Sequence, residues 1–175
     1  MASGTSENPA HESSLHGDCG YLTVKLLAFL LLFAVAGCAT EGSIRPPSAN
    51  TDRLVSYARS LIGTPYKYGG NSPEHGFDCS GFVDHVFLHE TNIRLPRSSL
   101  EISRRGNAVS KKNLRSGDLV FFNTLHSKFS HVGIYLGGDR FIHAPSNGGA
   151  VRVEDLQDDY WGRSYNGARR IIFDR

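Results

Sequence analysis

The spacing of the apolar residues changes once along the chain, and this change limits the folds that are open to it. Between residues 51 and 105 the apolar residues recur at the period of amphipathic helices. From Leu119 onward they form short runs rich in Val, Ile, Phe and Tyr, separated by turn residues such as Gly137-Gly138-Asp139. Helices followed by a strand meander predict an α+β fold, in which the helices pack on one face of an antiparallel sheet of about five strands.

The predicted elements follow from this periodicity and from the turn signals. Residues 51–62 read as a helix that Thr51 can cap and that Gly63 ends. A second helix begins at Cys79, and a third spans residues 98–105 with Ser98 as its N-cap. The predicted strands are Leu119–Phe122, Val132–Leu136, Arg140–Ala144, Val151–Glu154 and Arg169–Phe173.

An apolar run near the N-terminus indicates export. Lys25 precedes the run Leu26–Ala36, which has the length of a signal-peptide core and is too short for a stable membrane-spanning helix. The run ends in Val35-Ala36-Gly37-Cys38, where small residues precede a cysteine. This pattern resembles the bacterial lipobox, which implies that the leader is cleaved before Cys38 and that this cysteine carries lipid.

The chain is therefore expected to have three parts. Residues 1–37 are an N-terminal extension with a lipoprotein signal peptide, and residues 38–50 are the lipidated cysteine and a flexible tether. Residues 51–175 form one domain, near the usual size of a domain with its own core. Because Ala39 rather than Asp follows Cys38, the resemblance to Gram-negative lipoproteins implies an exported protein in the outer membrane, facing the periplasm.

The cysteine count points to a function for one thiol. The chain has three cysteines, Cys19, Cys38 and Cys79. Cys19 leaves with the leader and Cys38 carries lipid, so Cys79 is the one thiol of the mature chain and has no partner for a disulfide. An unpaired thiol in an oxidising compartment is exposed to oxidation, which favours a chemical role over a structural one.

The local sequence of Cys79 is suited to that role. Phe82, Val83, Val86 and Phe87 form an apolar stripe at the helical period, so Cys79 lies in the first turn of a helix. The backbone N–H groups and the dipole at a helix N-terminus favour a thiolate. We therefore expect the pKa of Cys79 to be lowered and the side chain to be a nucleophile.

Two histidines are placed to assist a thiol. His131 begins one predicted strand and His143 lies near the end of the next, with the Gly137-Gly138-Asp139 turn between them. In such a hairpin the two side chains lie close together at the same end. A His131–His143 hydrogen bond is expected, with His131 as general base and His143 fixing its tautomer.

These residues belong to a set of motifs that resembles the NlpC-type family of cell-wall cysteine peptidases, relatives of the papain fold. The resemblance runs from about Thr51 to the C-terminus, with six motifs in the family's order. The motifs are Gly63-Thr64-Pro65-Tyr66 with Gly69-Gly70, Asp78-Cys79-Ser80-Gly81-Phe82-Val83, Leu95-Pro96-Arg97-Ser98, Gly117-Asp118-Leu119-Val120-Phe121-Phe122, His131-Val132-Gly133-Ile134-Tyr135 and Phe141-Ile142-His143-Ala144.

The resemblance implies roles for individual residues. Cys79 would be the nucleophile, His131 the base and His143 the third polar residue, where relatives also use Asn or Gln. Tyr66 would help to hold the oxyanion, as would the backbone N–H of Cys79. Asp78 and Ser80 would recognise the diamino-acid end of the substrate. The segment between Gly70 and Cys79 departs from the family pattern, which affects this last assignment.

The substrate and partners follow from the same resemblance. Family members cut amide bonds of peptidoglycan stem peptides next to meso-diaminopimelate, in the D-Glu–diaminopimelate link or in the cross-bridge. We expect no cofactor and no metal. Without residues 1–37 the chain has 18 basic and 14 acidic residues, a mild excess that suits an acidic wall polymer. The sequence has no cluster of Lys or Arg of the kind that binds nucleic acid, so no nucleic-acid partner is expected. The expected contact with the membrane is through the lipid on Cys38.

Three other functions remain open from the sequence. Cys79, His131 and His143 are a possible ligand set for zinc, although their wide spacing lacks the short paired spacings of structural zinc sites. The domain could instead be a catalytically silent peptidoglycan-binding module, or a thiol amidase or acyltransferase with another substrate. Tyr160 and Trp161 could line the substrate groove, but an aromatic pair after an acidic stretch is more often part of the core.

Overall fold

Three helices precede the strands of the large sheet, as predicted, and a fourth helix between its last two strands was not predicted. The structure is a computed structural model, and it describes residues 49–124, 126–147 and 149–172. Within that part of the chain no helix has the length and hydropathy needed to cross a membrane. The helices are α1 (Ala49–Ser60), α2 (Cys79–Thr91), α3 (Ser99–Ile102) and α4 (Asp159–Ser164), with a 3₁₀ turn at Lys111–Asn113.

The strands form one small hairpin and one large antiparallel sheet. In spatial order the large sheet is β3-β8-β4-β5-β6-β7, and every neighbouring pair is antiparallel. The α+β class is therefore confirmed. The strands are β1 (Asn71–Ser72), β2 (Gly76–Phe77), β3 (Asn107–Val109), β4 (Leu119–Phe122), β5 (His131–Gly137), β6 (Arg140–His143), β7 (Arg152–Asp155) and β8 (Tyr165–Arg170).

Several predicted boundaries were wrong. The large sheet has six strands rather than about five, because the short polar strand β3 pairs with β8. The last strand ends at Arg170 instead of spanning Arg169–Phe173, since its pairing with β4 begins at Tyr165. Helix α1 begins at Ala49, which places Thr51 inside the helix instead of at its cap. Ser98 is the N-cap of α3, but its side chain makes no capping hydrogen bond.

Alternating residues of the strands supply two hydrophobic clusters. In β4, Leu119 and Phe121 join the cluster formed with α1 and α2, whereas Val120 and Phe122 join a second cluster with Trp161 of α4. This alternation is what the period of a strand dictates, since successive side chains point to opposite faces. The sheet is thus covered on both faces, and the short helix α4 supplies a cover that the sequence did not predict.

The hairpin of β5 and β6 sets the positions of the two histidines. Ile134 pairs with Ile142 and Tyr135 with Phe141 across the hairpin, and Asp139 in the turn has a positive φ of 58°. This register brings the start of β5 beside the end of β6. His131 and His143 therefore lie at the same end of the sheet, as predicted.

Candidate active site

Cys79 is the first residue of α2, and Asp78 caps this helix. The Asp78 Oδ1 atom accepts a hydrogen bond from the backbone N–H of Gly81 at 2.6 Å. An aspartate at this position accepts a hydrogen bond from a helix N–H group that would otherwise lack a partner. Its negative charge also interacts favourably with the positive N-terminal end of the helix dipole. The predicted location of the thiol in the first helical turn is confirmed.

The second carboxylate oxygen of Asp78 connects α2 to the loop before it. The Oδ2 atom accepts from the backbone N–H of Gly69 at 3.0 Å and from Arg97 Nη2 at 3.1 Å. The same guanidinium nitrogen lies 3.2 Å from the carbonyl oxygens of Gly69 and Gly70. Asp78 and Arg97 thus hold this loop against the start of α2 through charge-assisted hydrogen bonds.

Gly70 and Gly81 allow the loop and the helix to approach each other closely. A Cβ atom at Gly81 would overlap the Gly70 carbonyl oxygen, and one at Gly70 would overlap the carbonyl oxygen of Gly76. Gly70 therefore makes room for the chain's own backbone.

Ser80 is buried, with 4% of its surface exposed. Its hydroxyl oxygen lies 2.9 Å from both Asp78 Oδ1 and the Arg97 carbonyl oxygen, so its one proton is donated within the chain. These contacts support the loop that Asp78 and Arg97 hold. Substrate recognition by Asp78 and Ser80 stays a prediction.

His131 and His143 form a direct contact. His131 Nε2 lies 2.6 Å from His143 Nδ1, and the two rings are perpendicular. His131 is 4% exposed and His143 is fully buried. The predicted hydrogen bond between the two histidines is therefore present. Because Nε2 of His131 faces His143, Nδ1 is the ring nitrogen of His131 left for a thiol.

The thiol of Cys79 lies next to the start of β5, but its resting state differs from the prediction. The backbone N–H groups of Val132, Ser80 and Cys79 act on the sulfur and lower its pKa. Burial and then the negative charge of Asp78 act in the opposite direction and are larger, so the pKa of Cys79 is raised to about 11. The expected low-pKa thiolate was wrong, because desolvation disfavours the charged form more than the helix terminus favours it.

Burial also keeps the two histidines neutral. It lowers the pKa of His131 to about 4. For His143, burial followed by the positive charges of His131 and Arg152 lowers the pKa to about 2. At neutral pH the site therefore holds a thiol beside a neutral imidazole, the form in which His131 can accept a proton.

Tyr66 is the half-buried residue that the sequence placed near the oxyanion. Its backbone N–H donates to the Gly149 carbonyl oxygen at 2.9 Å, and its backbone forms a bridge to Phe77. Burial, followed by the charges of Cys79 and Asp78, raises the pKa of the phenol. Tyr66 is thus close enough to Cys79 for a charge on the sulfur to raise the pKa of the phenol, and the hydroxyl of Tyr66 keeps its proton for donation.

Trp161 contacts both histidines of this site, although the sequence favoured a place in the core for it over one beside the substrate. Its ring lies 4.8 Å from the ring of His143 and 5.8 Å from that of His131, measured between centroids. The signal that could have located it is Asp158, which caps α4 by accepting from the N–H groups of Tyr160 and Trp161. The exposed Tyr160 is not a core residue, contrary to the prediction.

An open groove of about 740 Å³ is lined in part by Arg97. Two of its arginines are already paired with carboxylates, Arg94 with Asp84 and Arg97 with Asp78. The groove does not include the thiol or the histidines, so we do not assign it to the chemistry. Its lining residues are Arg94, Leu95, Pro96, Arg97, Glu101, Arg104 and Arg105.

The described residues offer no cluster of three or more His, Cys, Asp or Glu side chains suited to hold a metal ion. This arrangement gives no support to the zinc alternative. The predicted lipid site, Cys38, and the predicted signal peptide and tether up to residue 48 lie outside the described residues.

Comparisons with known proteins agree on one family. Residues 63–170 match the model of the NlpC/P60 family. The chain is 42% identical over 114 residues to the murein DD-endopeptidase MepH of Escherichia coli strain K12, covering 63% of this chain and 42% of that protein. It is 43% identical over 120 residues to murein DD-endopeptidase MepS/murein LD-carboxypeptidase of the same strain, covering 69% and 62%.

A solved structure shares the fold. An NlpC/P60 family protein from Bacillus cereus superposes with a TM-score of 0.64 at 38% identity, over 71% of this chain and 41% of that chain. The papain-like α+β architecture is thereby confirmed. The chain spans about half the length of the two murein endopeptidases that it matches.

Proposed function

Because the chain belongs to the NlpC/P60 family, we propose that it is a cysteine endopeptidase that hydrolyses amide bonds in peptidoglycan stem peptides. The observation that carries this proposal is the 2.6 Å contact between His131 and His143, beside the helix that begins at Cys79. Two relatives named as murein DD-endopeptidases support the choice of substrate.

The first step couples a proton transfer from Cys79 to His131 with attack of the sulfur on the substrate. His131 Nδ1 accepts the proton of the thiol as the sulfur attacks the amide carbonyl carbon. Because the thiol and the imidazole are both held neutral by burial, the transfer accompanies the attack instead of preceding it. His143 keeps the His131 ring in position through its contact with Nε2.

The tetrahedral intermediate carries its negative charge on the former carbonyl oxygen. The backbone N–H of Cys79 and the hydroxyl of Tyr66 are the donors that we assign to this oxygen. The protonated His131 then gives its proton to the leaving amine, and the acyl group remains on sulfur as a thioester. Water, deprotonated by His131, hydrolyses the thioester and restores the free thiol.

The scissile bond lies next to meso-diaminopimelate in this proposal, in the D-Glu–diaminopimelate link or in the cross-bridge. Asp78 and Ser80 would recognise the diamino-acid end through groups at the start of α2. Since the carboxylate of Asp78 accepts several hydrogen bonds within the chain, its contribution would be its charge and the position of the loop it holds.

The protein would act as an exported lipoprotein, anchored by lipid on Cys38 in the outer membrane and facing the periplasm. The support is the apolar run before Val35-Ala36-Gly37-Cys38 and the residue Ala39 that follows. Metabolic labelling with palmitate tests this part. Label is expected in the wild type and not in Cys38→Ala, and equal labelling of both would contradict the assignment.

Digestion of purified peptidoglycan by the full-length chain tests the enzyme itself. Products are separated by chromatography and identified by mass, with Cys79→Ala as the control. Conversion of cross-linked dimers to monomers would identify the cross-bridge as the cleaved bond, whereas shortened stem peptides would identify the D-Glu–diaminopimelate link. Absence of products from the folded, reduced wild type would favour a silent binding module or another amide substrate.

A further inference from the structure

The two histidines share an aromatic cover, and Trp161 is its central ring. The indole is perpendicular to His143, with an interplanar angle of 85° and a centroid distance of 4.8 Å. Phe122 and Phe141 contact the same indole at 4.9 and 5.1 Å. Trp161 is itself 8% exposed, so this side of the histidine pair is closed to bulk water.

One nitrogen of the pair lacks a conventional partner. His143 Nε2 is buried, and among the residues that the structure describes no hydrogen-bond partner reaches it. A buried N–H group without an acceptor costs free energy. Since no neighbouring group among the described residues fixes the proton on Nε2, its protonation depends on whether His143 Nδ1 donates or accepts a hydrogen bond.

The direction of the His131–His143 hydrogen bond follows from the base role of His131, and this step rests on the proposed function. Before it accepts the proton of Cys79, His131 has a bare Nδ1 and a protonated Nε2. After proton transfer both nitrogens are protonated. In both states His131 Nε2 donates to His143 Nδ1, so a neutral His143 carries its own proton on Nε2.

We propose that Trp161 is a positioning residue for the reaction, whose indole face receives the Nε2–H of His143 and holds His143 in the tautomer that orients His131. The perpendicular rings have the geometry of an edge-to-face contact, in which the positive edge of one ring meets the negative face of the other. An N–H directed at an aromatic face is a weak hydrogen bond that is consistent with this arrangement.

Helix α4 fixes the indole for this role. Asp158 Oδ1 accepts from the backbone N–H of Tyr160 at 2.8 Å and from that of Trp161 at 3.4 Å. The neighbouring Tyr160 contacts the indole at 4.9 Å and is 51% exposed. Tyr160 therefore offers a matched control, because it shares the helix and the cap but does not contact either histidine in the described structure.

The tautomer of His143 is measured by NMR on the full-length chain with ¹⁵N-labelled histidine. Protonated and bare ring nitrogens differ in ¹⁵N shift, and the His143 signals are assigned by their loss in His143→Asn. We expect Nε2 of His143 to be protonated and Nδ1 to be bare. A protonated Nδ1 in the wild type would overturn the proposal without any variant.

Variants of Trp161 then test its part in holding that tautomer. Trp161→Leu keeps an apolar side chain but removes the aromatic face, so we expect mixed His143 tautomers and a kcat lowered about tenfold or more, with KM little changed. Trp161→Phe restores an aromatic face, so we expect it to recover most of the single His143 tautomer and most of kcat. Tyr160→Leu should behave like the wild type.

A folded Trp161→Leu with wild-type kcat and a single His143 tautomer would contradict the proposal. If Trp161→Leu fails to fold, Trp161→Phe and the wild-type spectrum decide the question. The spectrum needs no substrate, so failure of this inference is distinguishable from failure of the peptidase assignment. An inactive wild type with the expected tautomer would count against the peptidase alone.

Discussion

His131 Nε2 and His143 Nδ1 are 2.6 Å apart and are shielded from water. This short contact joins the start of one strand to the end of the next, so the hairpin register determines the orientation of the proposed base. The contact also leaves His131 Nδ1 as the nitrogen that can serve the thiol.

The first prediction concerns the role of His143. His143→Asn offers a side-chain oxygen that can accept from His131 Nε2, so we expect it to keep a substantial part of kcat/KM. His143→Ala removes the acceptor, so we expect its kcat/KM to fall about a hundredfold. Steady-state kinetics on a defined muropeptide provides the measurement, with thermal unfolding to verify that both variants fold. Equal activity of the two variants would show that the acceptor does not matter.

The second prediction concerns the resting state of Cys79. Because burial and Asp78 raise the pKa of the thiol to about 11, alkylation by iodoacetamide should accelerate about tenfold for each pH unit between pH 6 and pH 9. Mass spectrometry of the Cys79 peptide separates this signal from the other cysteines. An alkylation rate that is already constant near pH 6 would instead indicate a preformed thiolate.

A charge variant checks the cause of that shift. Asp78→Asn removes the negative charge that raises the pKa of Cys79 while keeping an acceptor for the N-cap. We expect faster alkylation than in the wild type at any given pH below 9. An unchanged rate would mean that burial alone accounts for the shift.

The third prediction concerns stability in acid. Burial lowers the pKa of His131 to about 4 in the folded state, whereas an unfolded histidine titrates near its ordinary value of 6.5. The unfolded state therefore binds the proton first, and stability present above pH 6.5 is lost as the pH falls toward 4. The expected loss is about 1.4 kcal/mol per pH unit for each such histidine.

Urea unfolding between pH 7 and pH 5 measures this dependence. His131→Gln should reduce the slope of this dependence. A wild-type free energy of unfolding that does not vary over this range would show that the buried histidines do not resist protonation.

The fourth prediction concerns the close packing at Gly81. Since a Cβ there would overlap the Gly70 carbonyl oxygen, Gly81→Ala should lower the free energy of unfolding by about 1–3 kcal/mol and displace the start of α2. Gly162→Ala is the helical control, because its Cβ would lie 3.4 Å from its nearest neighbour, the Leu156 carbonyl oxygen. Chemical denaturation compares the two, and equal stabilities would contradict the packing argument.

Features set by local sequence were predictable, and those set by tertiary contacts were not. The apolar stripe after Cys79 and the turn between His131 and His143 each specify one element, so the thiol and the histidine pair were correctly located. Strand β3 (Asn107–Val109) was missed because its residues are mostly exposed and show no apolar run. Its partner β8 supplies the pairing that makes it a strand.

The electrostatics of the site depended on burial that no local pattern reveals. The helix terminus at Cys79 was visible in the sequence, but the desolvation that outweighs it comes from packing across the whole site. Trp161 was recognised as a core residue because it is aromatic. Its contact with both histidines depends on α4, a helix of six residues that is too short to show a helical period.

A double-mutant cycle between Cys79 and His131 tests the central claim most directly. The kcat/KM of the wild type, Cys79→Ala, His131→Ala and the double variant is measured on one defined muropeptide. Because the nucleophile and its base act as a unit, each single variant should lose nearly as much activity as the double variant. The account would be contradicted if the loss in the double variant equalled the product of the losses in the two single variants. Turnover by Cys79→Ala near the wild-type rate would contradict it as well.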